Sequence, residues 1–358
     1  MTTKLSEIAG QFCLEGGVTA VKPLGNGFIN DTFLVFTGTS KEPSYILQRK
    51  NHLIFPDVPA MMENIRKVTE HIRKKVSEPE RKTLTIINTK DGKLYYKDAD
   101  GNFWAMCLYI GGSKSYLTAD SEFLAGQGGL GLGDFHLLVS DFNEPLTEVI
   151  KGFHDIRFRF SQWDASLAAD KAGRIASLKK EIEWIESRRA LMLEFREKYE
   201  KGVFPTRVTH NDTKISNFLF NEADGSLLCA IDLDTLMSST ILNDVGDALR
   251  SYANTGAEDD KDTDRVGMSL GMFKAYIAGY LSKMKGVLTG AEIDALAFSG
   301  IYITYEQVLR FLMDYIDGDT YYKIAYPEHN LVRARAQYKL LQSMEAQLGQ
   351  MEAFVRSL

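Results

Sequence analysis

No stretch of this 358-residue chain approaches the ~20 consecutive apolar residues that a membrane-spanning helix needs. A basic excess is missing too: 48 acidic against 42 basic residues give a net charge of -6, which leaves no cationic stripe for nucleic acid. Cysteine is scarce. Cys13, Cys107 and Cys229 are odd in number, widely spaced and set among apolar neighbours, so they fit neither a metal site nor a disulfide framework and are expected as reduced, buried thiols. The opening MTTKLSEIAGQF has no apolar run behind a basic start and does not read as a signal peptide. Internal repeats and low-complexity tracts are lacking as well, and the charge run EDDKDTD reads as a solvated loop. What remains is an ordinary globular composition, 44% hydrophobic and 25% charged, long enough for one or two domains. A cytoplasmic enzyme or binding protein is expected, with no membrane, nucleic-acid or obligate protein partner.

Short runs rich in β-branched and aromatic residues predict strands over 18–24, 32–37, 45–49, 84–88 and 103–110. One helix interrupts them at 60–76, where Met61, Ile65, Val68 and Ile72 recur at helical spacing. After YIGGSKS long helices take over, at 175–199, 268–284, 291–315 and 331–354, and only 208–232 looks β-like. The pattern predicts an α+β protein in two lobes: a small β-rich lobe over 1–108, a hinge at 109–113 and a mostly helical lobe over 114–358.

The segment VTHNDTKISNFLF breaks an apolar run for polar residues without Gly or Pro, then resumes as Phe218-Leu219-Phe220. Asp212 and Asn217 stand in D-x-x-x-x-N spacing, and AIDLDT follows with Asp232 and Asp234. Phosphoryl transfer from a nucleotide needs an acceptor for the hydroxyl proton and oxygen ligands for Mg²⁺. A loop carboxylate, an amide oxygen one short turn later and a second carboxylate at a strand end supply them, and Asn217 with Asp232 suits an ion that takes one or two protein carboxylates. Either half alone also reads as a capped turn. Together, behind a hinge and a β-rich lobe, they read as a kinase site.

Other stretches bear on that reading. In PLGNGFINDTFLV, Gly25 and Gly27 would let backbone amides approach phosphates, although any tight hairpin also wants glycines. FWAMCLYIGG leads to the hinge, where the backbone of Leu108, Tyr109 and Ile110 would read an adenine edge. Glu306, Arg310 and Asp314 share one helical face at i, i+4 and i+8 among apolar neighbours, so that face reads as a pocket wall. GQGGLGLGD lacks the preceding strand of a dinucleotide loop and reads as a close helix contact. NDVGDALR reads as a helix start with an internal ion pair that supports the 210–217 loop.

THNDTKISNFLF followed by AIDLDT resembles the catalytic core of the aminoglycoside phosphotransferase and choline kinase superfamily. Over most of its length the chain resembles the bacterial N-acetylhexosamine 1-kinase family, in GNGFIN, YILQRKN, FPDV, RVTHNDTK, IDLDT, DVGDALR, RFLMDYIDGDTYY and YPEHNLVR. The resemblance implies a bilobal protein-kinase-like fold, ATP and Mg²⁺ as cofactors, and transfer to the anomeric hydroxyl of a hexosamine. It makes Asp212 the base, Asn217 and Asp232 the metal ligands, and Asp234 a second-metal or supporting group. Gly25 and Gly27 become the phosphate loop, His210 a buttress of the base, and Arg310 and Tyr321 sugar contacts. Lys214 either neutralises the γ-phosphate or stands exposed on its loop. Two positions depart from the family: Phe28 replaces a histidine near the sugar, and Gln48, with Arg49 beside it, stands where the superfamily has a strand lysine, so that one or the other of these two is expected to contact the nucleotide phosphates. The alternatives are a kinase of another small alcohol (an aminoglycoside, choline or an amino alcohol) and a non-catalytic nucleotide-binding module, for which the absent lysine speaks.

One expectation follows from residue 28 alone. Exchanging a neutral hydrogen bond to the sugar alters binding by ~0.5–1.5 kcal/mol. Phe28→His is therefore expected to shift the kcat/KM ratio between N-acetylated and plain hexoses and to leave the ATP parameters unchanged, as steady-state kinetics on both sugars would read.

Overall fold

A computed structural model describes residues 2–25, 29–38 and 42–358. Gly27 and Phe28 lie outside the described residues. The first lobe holds α1 (Thr2–Ala9), β1 (Val18–Pro23), β2 (Asp31–Thr37), β3 (Tyr45–Lys50), α2 (Val58–Arg73), a single turn α3 (Pro79–Lys82), β4 (Tyr96–Lys97) and β5 (Phe103–Leu108). Its strands form one antiparallel sheet in the order β1-β2-β3-β5-β4. Strand alternation sorts the side chains by face. Phe33, Val35, Tyr45, Leu47, Trp104 and Met106 turn outward beneath Leu5, Ile8 and Phe12, so α1 caps that face. Ile46, Gln48 and Lys50 point the other way, toward the second lobe.

The second lobe runs through β6 (Ser113–Lys114), α4 (Glu122–Leu138), α5 (Ile156–Ala169), α6 (Lys179–Glu186), α7 (Arg189–Glu200), β7 (Arg207–Thr209), β8 (Phe218–Asn221), β9 (Leu227–Ala230) and β10 (Met237–Ser239). It ends in α8 (Ile241–Tyr252), α9 (Leu270–Met284), α10 (Gly290–Ile316) and α11 (His329–Ser357). β7 pairs with β10, and β8 lies between β6 and β9. The protein is thus an α+β chain with an antiparallel sheet in the small lobe and helices dominating the large one. The apolar stripe of α2 (Met61, Met62, Ile65, Val68, Ile72) joins the large lobe's core, a cluster that also takes in Ala105 of β5.

The structure departs from the sequence reading in four places. α1 was not anticipated. Residues 84–88 do not form a strand, because the far edge of β5 is shared: β4 takes Phe103 and Trp104, leaving an isolated bridge from Ile86 to Cys107. The helix expected over 175–199 breaks between α6 and α7, where Arg188 turns to Glu345 at 2.6 Å. Cys13 is exposed, whereas Cys229 is buried; all three thiols are free.

The glycines of GQGGLGLGD lie inside α4 and let it press on α9. A Cβ on Gly129 would stand 2.0 Å from the Tyr276 carbonyl oxygen, and one on Gly279 2.4 Å from that of Gly126. Backbone meets backbone there, and no side chain could move aside. Gly→Ala in a helix normally stabilises by ~1 kcal/mol. Gly129→Ala is expected to reverse that sign and cost ~1–3 kcal/mol by overpacking, whereas Gly349→Ala on α11, with nothing within 4 Å of its added Cβ, should raise the melting temperature. Calorimetric melts of the two variants check the contrast.

Candidate active site

The 210–217 loop hangs on one buried carboxylate. Asp244, in the first turn of α8, accepts the amides of His210 (to Oδ2) and Asn211 (to Oδ1), each at 2.7 Å. The Asp244 backbone carbonyl also accepts the Thr213 hydroxyl. His136 Nε2 from α4 donates to Asp244 Oδ2 at 2.9 Å, while its other ring nitrogen meets the Tyr280 hydroxyl. The carboxylate is fully enclosed. These bonds hold Asn211 at φ 66°, a left-handed conformation that costs a non-glycine residue of order 1 kcal/mol. The Asn211 side chain donates to the Thr235 carbonyl at 2.9 Å, and the Thr235 hydroxyl donates to the His210 carbonyl at 2.6 Å. His210 is a buttress in this sense: its Nε2 meets the Ile231 carbonyl at 2.8 Å.

The next residue, Asp212, carries a half-buried carboxylate. Asn217 Nδ2 donates to its Oδ2 at 2.8 Å and to its carbonyl at 2.9 Å, and Lys214 Nζ lies 3.1 Å from the same Oδ2. Burial works against the charge of Asp212, but Lys214, His210 and Asn217 outweigh it and hold the carboxyl below its ordinary range. Asp212 is therefore ionised at neutral pH. The amide nitrogen of Asn217 being committed, its oxygen is the atom left for an outside cation.

Asp232 faces Asp212 from the end of β9, in left-handed backbone at φ 57°. Burial, then the charges of Asp234 and Asp212, push its carboxyl up to about 6, with Lys50 and Lys214 opposing. Negative charge is crowded here more than the protein's own cations relieve. A divalent ion fits that donor set: the Asp232 carboxylate, the Asn217 oxygen and room for phosphate oxygens. Asp234 differs from Asp232. Both of its oxygens are engaged, Oδ1 by Lys50 at 2.7 Å and Oδ2 by Asn30 at 2.8 Å, so it ties the two lobes together.

The small lobe contributes a residue that the sequence reading passed over. Lys50, the last residue of β3, is buried and bonds both Asp234 and Gln48 Oε1, each at 2.7 Å. Strand alternation puts Gln48 and Lys50 on the cleft face and Arg49 on the opposite one, where it pairs with Asp31. Arg49, expected as an alternative phosphate contact, does not meet the acidic cluster. Gly25 ends the described part of the β1–β2 turn in left-handed backbone at φ 64°. At the hinge the Leu108 and Tyr109 amides donate to the carbonyls of Thr85 and Ser44 at 2.9 and 3.0 Å, which leaves the Ile110 amide uncommitted among the described residues. Ile110 packs on Leu228 and Cys229, with Leu219 and Ile231 beside them, forming an apolar floor.

On the other side of Asp212 stands α10. Arg310 is buried, and its only hydrogen bond among the described residues is a long one to Gln307 at 3.4 Å. Its guanidinium lies 5.2 to 5.7 Å from the ring centres of Phe153, Tyr322 and Tyr321. Tyr321 is half exposed and borders the same space. Glu306 and Asp314 share the helical face of Arg310, but neither is hydrogen-bonded to it among the described residues. Glu306 meets His154 Nδ1 at 3.0 Å, and the His154 Nε2 reaches the Asn211 carbonyl at 3.0 Å. No sequence signal marked His154, because its partners are 57 and 152 residues away.

The site is an ionised carboxylate, Asp212, beside the crowded acids Asp232 and Asp234, with the sheet lysine Lys50 bonded to Asp234 and Arg310 on the other side. Comparison with known proteins bears on it. Solved structures sharing the fold include a microcompartment-associated aminopropanol kinase (TM-score 0.68, 16% identity, 98% of each chain covered). Spectinomycin phosphotransferase in complex with ADP and spectinomycin aligns at TM-score 0.62 with 12% identity over 98% of this chain and 99% of that one. A choline/ethanolamine kinase family protein from Mesorhizobium loti aligns at 0.53 with 13% identity over 94% and 92%. These likenesses concern the fold. Residues 20–271 match the model of the phosphotransferase enzyme family, a span that holds the sheet, the hinge and every residue of the acidic cluster: the chain belongs to that family and is a small-molecule phosphotransferase of the aminoglycoside and choline kinase type.

Proposed function

We propose that the protein is an ATP- and Mg²⁺-dependent kinase that phosphorylates the anomeric hydroxyl of a hexosamine such as N-acetylglucosamine or N-acetylgalactosamine. The observation that carries the acceptor class is Arg310, a buried guanidinium that no carboxylate hydrogen-bonds among the described residues. Its free donors suit sugar hydroxyls or the carbonyl of an N-acetyl group. Aminopropanol, choline, ethanolamine and aminoglycosides are cations, and an ammonium group next to Arg310 would be repelled. Kinases of those alcohols remain the rival reading, since the solved neighbours are named for such acceptors.

In this reading the Asp212 carboxylate takes the proton of the anomeric hydroxyl as its oxygen attacks the γ-phosphorus and the bond to the β-phosphate oxygen breaks, leaving ADP. The ring oxygen acidifies that hydroxyl, so an ionised carboxylate of low pKa suffices as acceptor. Asn217 orients Asp212 by its paired bonds. Lys50 supplies the strand cation for the phosphates, with Gln48 holding its ammonium, and Ile110 offers its amide to the adenine edge. Asn217 and Asp232 would hold Mg²⁺, which neutralises charge on the β- and γ-phosphates.

Phosphorus NMR of the enzyme with Mg-ATP and a panel of hexosamines, amino alcohols and aminoglycosides tests the reading. A sugar 1-phosphate signal is expected; turnover of a cationic alcohol with none of any hexosamine sinks it. Asp212→Asn is expected to lower kcat by ~10²–10⁴, the usual cost of losing a general base, with Mg-ADP affinity within about threefold of wild type in calorimetric titration.

Asp232→Asn should separate stability from function. A carboxyl whose folded pKa is raised gives its full stability below the unfolded value near 4 and loses it as pH rises through about 6. At pH 7.5 the crowded carboxylate is a liability in the free protein. The variant is expected to melt at a higher temperature than wild type without ligand, and to lose the stabilisation that Mg-ADP confers on wild type. A lower melting temperature, or an undiminished ligand shift, would contradict the assignment.

A further inference from the structure

Arg310 stands between two acids on its own helix, Glu306 one turn before and Asp314 one turn after, at the spacing where such pairs ordinarily form. It bonds neither among the described residues. Asp314 is consumed by the amides of Thr320 and Tyr321 at 2.8 Å, that of Tyr322 at 2.9 Å, and the Asn330 side chain at 2.8 Å. Glu306 gives Oε2 to His154, and its Oε1 has no hydrogen bond, with Arg159 Nε 3.7 Å off. Leaving a buried cation without its counter-ion is costly, yet both natural counter-ions are diverted.

His154 is the group that diverts Glu306. Its two ring nitrogens face two groups that only accept: the Asn211 carbonyl and the Glu306 carboxylate. Satisfying both requires a proton on each nitrogen, hence an imidazolium. The electrostatics agree. Burial disfavours the charge, but Glu306 and the Asn211 carbonyl outweigh it and raise the His154 pKa above its ordinary value, while Glu306, disfavoured by burial, is lowered by His154, Arg159 and Arg310.

We propose that His154 is a positioning residue whose imidazolium holds Glu306 away from Arg310, so that the guanidinium stays free for the acceptor substrate. The same imidazolium ties that glutamate to the carbonyl preceding Asp212, which couples the acceptor wall to the base. The inference rests on the reading of Arg310 as the acceptor contact. Without His154, Glu306 would be a buried carboxylate one helical turn from an unpaired guanidinium, and the two would close on each other.

Three variants and two readouts test this. With N-acetylglucosamine and Mg-ATP, His154→Gln is expected to raise the acceptor KM about tenfold or more, with the KM for ATP within about twofold. Adding Glu306→Gln removes the competing carboxylate and should return the acceptor KM to within about threefold of wild type, although kcat stays reduced because the Asn211 contact is gone. A merely structural histidine predicts no such rescue. An unchanged acceptor KM in His154→Gln, or a rise that persists in the double variant, overturns the proposal. Should His154→Gln not fold, Glu306→Gln with and without it gives the same decision: equal acceptor KM supports the proposal, and a tenfold rise refutes it. Crystal structures supply a readout that needs no substrate. In His154→Gln, Glu306 is expected within the ~4 Å of an ion pair with Arg310; if it remains apart, the proposal falls. Absence of N-acetylglucosamine turnover by the wild type would count against the acceptor reading alone, and the crystallographic comparison would still decide the role of His154.

Discussion

A buried carboxylate is worth keeping only when donors surround it, and Asp244 shows what such a carboxylate can organise in return. Two consecutive amides, an imidazole and, through its own carbonyl, a hydroxyl converge on this one residue. They bend the chain through the left-handed Asn211 and leave Asp212 projecting into the cleft. A loop made only of side-chain contacts would fluctuate. One pinned by its backbone to the first turn of a helix inherits the rigidity of that helix, which α10 buries from behind. The neighbouring contacts of the cleft are measured from this anchor: the Asn217 amide bonded to Asp212, the Asp232 carboxylate near it, and the His154 bridge to the Asn211 carbonyl.

Charge is distributed across the cleft by the same economy of partners. Around Asp232 the acids outnumber the cations that reach them, so the protein is short of positive charge there. Around Arg310 the imbalance is reversed. Neither excess is an accident of composition, because in both places a nearby residue of the opposite sign is occupied elsewhere: Lys50 with Asp234, Glu306 with His154, Asp314 with a string of amides. The two deficits face each other across Asp212.

What could be read from the sequence was the part whose partners are near in the chain. D-x-x-x-x-N is legible because Asn217 bonds Asp212 five residues away, and the glycines of α4 are legible because no dinucleotide loop starts without a strand. The helical face of Glu306, Arg310 and Asp314 was legible as a face but not in its pairing, since spacing along a helix says which side chains could meet and not what else competes for them. Lys50 was within reach: counting alternate residues from the buried Tyr45 and Leu47 separates Gln48 and Lys50 from Arg49. His154, Asn30 and His136 were beyond reach, because each gains its meaning only from elements brought together by the fold.

The burial of α2 bears on how the molecule can move. Its apolar stripe lies in the large lobe's core, and Asn64 fastens it there: its Nδ2 donates to the carbonyls of Thr147 and Leu236 at 2.8 and 2.9 Å, and its Oδ1 accepts the Thr147 amide at 3.0 Å. A helix anchored in this way cannot swing outward without tearing apolar surface from a packed interior. Moving α2 outward would expose that stripe and break three hydrogen bonds at Asn64, so the helix belongs by its packing to the large lobe although chain order places it among the strands of the small one.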